Sequence, residues 1–141
     1  MADYYTHCSF EIPKLHKAEE EWLRAEIKRR EATMDENDFP LFDAEYSFDE
    51  ADKSLWIYDG ESVNLDNLVL FLQEFIKQFR PKAIFSFEWA NDCSKPRLDA
   101  YGGGAVVVTA DRIYWINTST WVSKTIKQIE KRRLAKQIEK R

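Results

Sequence analysis

The 141 residues are about the size of one ordinary domain, and 44% of them are apolar. With 5 Trp, 6 Tyr and 9 Phe there is enough apolar surface for a packed core, which excludes wholesale disorder. The formal net charge of −4 conceals a separation of sign: Glu31–Asp66 holds 12 acids and one base, Lys53, whereas Lys124–Arg141 holds eight bases and two acids, Glu130 and Glu139.

No apolar run reaches the roughly 18 residues of a membrane span. The opening MADYYTHCSF lacks a basic region followed by an apolar one, so no secretory signal is expected. The two cysteines, Cys8 and Cys93, form no ligand spacing. A cytosolic protein with free thiols is the plain reading, although sequence alone leaves a bridge between them open.

Tyr4–Ile12 alternates, with Tyr4, Thr6, Cys8, Phe10 and Ile12 on one face and Tyr5, His7, Ser9 and Glu11 on the other, which predicts a first strand. Pro13 suits a helix start, and Lys14 to about Thr33 is rich in good helix formers. Leu15, Ala18, Trp22 and Ala25 mark its apolar face, with Leu23 and Ile27 beside it. Residues 34–40 read as an acidic loop. Phe42, Ala44, Tyr46 and Phe48 then alternate with Asp43, Glu45, Ser47 and Asp49, giving a half-buried strand with an acidic outer face.

Ser54–Tyr58 returns as the next strand and Asp59-Gly60 closes it. Asn64 can cap a helix bearing Leu65, Leu68, Leu72, Phe75, Ile76 and Phe79 at helical spacing, which Pro81 ends. Ala83–Trp89 is a fourth strand, and 91–100 a polar loop. Gly102-Gly103-Gly104 leads into Val106-Val107-Val108-Thr109, a tight turn at Ala110-Asp111 and a return strand through Ile116. The order β-α-β-β-α-β, then a hairpin, predicts an α+β, ferredoxin-like sandwich with helices on one face of an antiparallel sheet and an added C-terminal hairpin. Residues 1–122 form this domain, and 123–141 a basic helical extension or frayed tail. That tail carries KQIEKR twice, nine residues apart. Nine residues are about 900° of helix, so Ile129 and Ile138 fall on opposite faces.

Tyr4-Tyr5-Thr6-His7, Glu88-Trp89-Ala90, Cys93-Ser94-Lys95-Pro96-Arg97 and the run from Gly102 to Asp111 together resemble small uncharacterised phage- and plasmid-encoded proteins with a ferredoxin-like domain. The resemblance spans roughly residues 4–122. It implies a mobile-element origin, the cytoplasm of a bacterial host, and a small acidic protein that inhibits a host defence complex. It carries over no functional residues.

The residues themselves point to binding more than to chemistry. The glycine run leads into a strand and not a helix N-terminus, so a strand bulge or close backbone approach is the expectation, with an anion or nucleotide site at Lys95 and Arg97 as a third reading. His7 and Cys8 are adjacent on a strand and cannot share a metal ion, and Cys93 would need His7 or His16 brought to it to act as a nucleophile. No catalytic residue, metal or cofactor is expected. The leading expectation is a non-enzymatic, anti-CRISPR or anti-restriction type of protein. It would bind a basic host nucleic-acid-handling or defence protein through an acidic face at Asp35, Glu36, Asp38, Asp43, Glu45 and Asp49. The alternative is nucleic-acid binding through the basic tail, with Lys131, Arg132 and Arg133 joining Lys95 and Arg97.

Overall fold

Period-two alternation and helical spacing resolve into nine elements in the computed structural model, which describes residues 3–33, 42–60, 62–98 and 100–140. They are β1 (Tyr4–Ile12), α1 (Lys17–Ala32), β2 (Ala44–Asp49), β3 (Ser54–Asp59), α2 (Leu65–Phe79), β4 (Phe85–Cys93), β5 (Gly102–Val108), β6 (Ile113–Asn117) and α3 (Thr118–Glu139). The class is α+β. A six-stranded sheet runs β2-β3-β1-β4-β5-β6, and every pairing is antiparallel. β1 divides its length: Tyr4–Cys8 pairs with β4, and Ser9–Ile12 with β3.

One sheet face is buried. Phe10 and Ile12 of β1, Leu55 and Ile57 of β3, Phe85 and Phe87 of β4, and Val106 and Val108 of β5 all point into the core. Helix α2 covers them with Leu68, Phe71, Leu72, Phe75 and Ile76, each at most 1% exposed. Burial of side chains of this size contributes roughly 1.5–3 kcal/mol each. Asn64 caps α2 by accepting the Asn67 N–H. Trp22 of α1 packs on Phe71, Phe75 and Phe79, with ring centroids 5.6–6.1 Å apart, so α1 and α2 share this face.

Two features differ from expectation. Helix α1 starts at Lys17 and not at Lys14, because Lys14 has a positive φ of 52° and the His16 N–H is held by the Glu19 carboxylate at 2.8 Å. Its buried side is Glu19, Leu23 and Ile27, whereas Ala18 and Ala25 are exposed. Glu19 is 3% exposed because Arg80, at the end of α2, pairs with it: Nε donates to Oε2 at 2.7 Å. An ion pair inside the stripe turns the helix away from the face that hydropathy alone selects. The second difference is that β4 runs on to Cys93, since residues 89–93 pair with β1, and residues 89–91 also with Gly102–Gly104 of β5.

Candidate functional site

The opposite face of the sheet is left uncovered by α1 and α2. Its outward positions follow from register: Tyr5, His7, Ser9 and Glu11 on β1, Trp56 and Tyr58 on β3, Glu45, Ser47 and Asp49 on β2, Ser86, Glu88, Ala90 and Asp92 on β4. The hairpin adds Ala105, Val107, Tyr114 and Ile116. None of these outward strand positions is Lys or Arg, while Glu11, Glu45, Asp49, Glu88 and Asp92 are acids. On the helix side, by contrast, charges are interleaved: Arg24 pairs with Glu20 and Arg29 with Glu26. The outward strand positions are therefore acidic on β1, β2 and β4, while at the hairpin end the Arg112 guanidinium lies over the Tyr114 ring at 5.3 Å.

On β3, one strand in from the β2 edge, two aromatic rings stack. Trp56 and Tyr58 lie with centroids 4.1 Å apart and planes 29° from parallel. The indole N–H donates to Ser9 Oγ at 2.8 Å, which fixes the ring while leaving Trp56 46% exposed. Tyr58 sits beside Glu45, and desolvation together with that carboxylate pushes its phenol above the ordinary range. The aromatic pair is thus half-exposed and orientationally fixed, with Glu11 and Glu45 at neighbouring outward positions.

A second cluster lies where β1 passes from β3 to β4. Asp59 accepts the Cys8 N–H at 2.9 Å and faces His7 Nδ1 at 2.7 Å; Ser62 Oγ accepts the Thr6 N–H at 3.0 Å. His7 Nε2 lies 3.0 Å from Asp92 Oδ1. Asp59, and then Asp92, raise the His7 pKa from its ordinary 6.5, more than desolvation lowers it. Both ring nitrogens face carboxylates, so His7 ties β3 to β4 across β1. Cys8, on the other face, is buried and its thiol is pushed up to about 11 by desolvation, with the Asp59 charge adding to this. Among the described residues no group of three or more His, Cys, Asp or Glu could hold a metal ion.

The sequence-derived site is only partly assembled. Asp35, Glu36 and Asp38 lie outside the described residues. Asp43 precedes β2 with a positive φ of 68°, so it does not share the strand face with Glu45. Asp49 does face outward, but its Oδ1 accepts the Ala51 and Asp52 N–H groups and so holds the β2–β3 turn. Gly102–Gly104 are built into β5, and the Gly103 N–H donates to Thr118 Oγ1. Lys95 and Arg97 are on the exposed β4–β5 connection. That connection lies at the same end of the sheet as the start of α3, because Gly102 pairs with Asn91 and Gly104 with Asn117. Lys131, Arg132 and Arg133 are consecutive on α3 and so point in three directions.

Sequence reasoning missed Trp56, Tyr58, Glu11 and Glu88. Their signal was parity: Leu55 and Ile57 are core residues, so Trp56 and Tyr58 between and beside them must face out. No helix is long and apolar enough to cross a membrane among the described residues. No family model matches the chain, and neither a curated protein nor a solved structure matches it significantly.

Proposed function

We propose that the protein is a non-catalytic binding module whose open sheet face docks on a basic surface of a protein partner. The observation that carries this reading is the exposed Trp56–Tyr58 stack set among Glu11, Glu45 and Glu88 with no cation on any outward strand position. Fixed aromatic anchors supply contact area at low entropic cost, and the acids around them steer a cationic partner and accept its hydrogen bonds. An exposed indole is also a platform for a guanidinium or ammonium group. We read the first six elements as a ferredoxin-like unit, which the order β2-β3-β1-β4 and the shared helix face support. In the mobile-element setting that the resemblance implies, the partner is a host nucleic-acid-handling or defence protein, with the acidic face taking the place of phosphate.

The test is kinetic. Association of an arginine-rich peptide with the wild type, kept below the micromolar range, should be fast at low salt and slow steeply as salt rises. The double variant Glu11→Lys/Glu88→Lys, at two exposed positions, should associate at least tenfold more slowly while keeping its fold. Equal rates for both proteins at low salt would reject the face.

The basic helix favours a second reading. All of the bases on α3 between Lys124 and Lys140 are exposed, and Lys95 and Arg97 lie at the end of the sheet from which it departs. Nucleic-acid binding by this segment would be sequence-independent and salt-sensitive.

A further inference from the structure

Helix α3 begins with no intervening residue where β6 ends. Asn117 is at once the last residue of β6 and the N-cap of α3, its Oδ1 accepting the Ser119 and Thr120 N–H groups at 2.9 and 3.2 Å. Thr118 Oγ1 is tied to the Gly103 N–H at 3.1 Å. The exit direction of the helix is thereby fixed. Trp121 and Val122, with Glu88, Ala105 and Ile116, bound a groove of about 580 Å³ on the open-face side. No residue of α3 is buried.

A helix with no buried residue is unusual in carrying a continuous stripe. Val122, Ile126, Ile129, Arg133, Lys136 and Lys140 recur at spacings of four and three and so fall on one side. The first three are apolar and 41–49% exposed, and the last three are basic. Residues 118–141 carry eight bases and two acids, a net +6 against −10 for residues 1–117, which together make the chain's −4. From Val122 to Lys140 the stripe is about 27 Å long at 1.5 Å per residue. Six strands at about 4.8 Å spacing make the open face about 24 Å across.

We infer that α3 of one copy occupies the acidic open face of a second copy, each helix being exchanged reciprocally in a two-fold dimer. This rests on the reading above that the face takes cationic protein. Charge complementarity selects the occupant. Two α3 helices packed on each other would bring +6 against +6, whereas α3 on the open face brings its bases to Glu11, Glu45 and Glu88 and its isoleucines to the exposed aromatic and aliphatic positions. The direct β6–α3 junction seats only the first turn of the helix, at Trp121 and Val122, beside its own sheet, and the stripe from Ile126 onward is left for another copy. The dimer then shields the face until a stronger basic partner displaces the helix.

The experiment is sedimentation velocity on the full chain over about 5–200 μM at low and high salt. A salt-sensitive dimer is expected. Glu11→Lys/Glu88→Lys reverses the face and Arg133→Glu/Lys136→Glu reverses the helix; each variant alone should be monomeric over this range. Mixed one to one they should form a heterodimer, because each of its two interfaces again joins opposite charges. A wild type that is monomeric throughout, or a dimer that survives both reversals unchanged, overturns the exchange. The proposed function is read separately, from binding of the arginine-rich peptide to the helix-reversed variant, whose face no α3 covers. Peptide binding without a wild-type dimer rejects the exchange alone, and a dimer without peptide binding rejects the general cation-binding face.

Discussion

The indole of Trp89 lies against Gly104, its cross-strand partner on β5, and fills the volume that any side chain there would occupy. A Cβ on Gly104 would run into the Ile116 carbonyl oxygen on one side and the Trp89 ring, within 2.7 Å, on the other. The glycine run is thus a packing device that lets Trp89 lie flat in the core and meet Trp115 edge-on at 5.4 Å. Gly104→Ala should lower stability by roughly 1–3 kcal/mol, read by chemical denaturation. An unchanged midpoint would show that the strand yields at no cost.

Glu19 and Arg80 join the start of α1 to the end of α2. Besides the carboxylate, Arg80 donates to the Pro13 and Lys14 carbonyl oxygens at 2.8 and 3.1 Å. Burial alone would raise the Glu19 carboxyl, but Arg80 and the His16 N–H outweigh it and hold the group below its ordinary 4.5. Its contribution is therefore present above that value and lost as pH falls through the lower, folded-state pKa. Glu19→Gln leaves Arg80, 21% exposed and still held by two carbonyl oxygens, without its counter-ion and should cost about 2–3 kcal/mol near neutral pH, and much less in acid. A loss that does not shrink in acid would contradict the assignment.

For His7 the sign is opposite. Its folded-state pKa is raised by Asp59 and Asp92, so the clamp's contribution is complete below the ordinary 6.5 and fades as pH rises through the raised value. The melting temperature of the wild type should exceed that of His7→Asn by a margin that narrows as pH climbs from about 6 toward 8. The His7 ring protons should titrate above the ordinary histidine value in NMR. A midpoint at or below that value would remove the clamp.

The thiols should separate cleanly. Cys8 is 6% exposed and its thiol is pushed up to about 11, whereas Cys93 is half-buried at the end of β4. Near pH 8 a thiol reagent should modify Cys93 in the native protein and reach Cys8 only after unfolding. Rapid native modification of both would show that β1 opens.

Much of this fold can be read from the residues. The alternation of Tyr4–Ile12, the Asn64 cap and the apolar repeat of Leu65–Phe79 are local signals, and each element lies where those signals place it. Residues 113–117 likewise form the return strand of the hairpin. What local signals could not carry was partnership. Glu19 looks like solvent-facing charge until Arg80, 61 residues on, is folded against it. Asp59 looks like a turn residue until β1 is laid beside β3. The acidic face was sought in one segment by counting charges, whereas it is spread over β1, β2 and β4, and its aromatic pair is on β3. Only the pairing of the strands brings Glu11, Glu45, Glu88 and Trp56 onto one surface.

The most direct measurement of that surface is a titration of the ¹⁵N-labelled Arg133→Glu/Lys136→Glu variant, whose face no α3 covers, with an arginine-rich peptide, followed by NMR at low and high salt. The Trp56 indole N–H, held by Ser9 Oγ, gives a resolved reporter within the acidic part of the face. The account predicts shifts concentrated at Trp56, Tyr58, Glu11 and Glu88. They should weaken with salt and be lost in Trp56→Ala, with little response from Glu20 and Glu26, which already face arginines on α1. Shifts spread evenly over every acid, or a Trp56 indole that does not move at saturation, would contradict it.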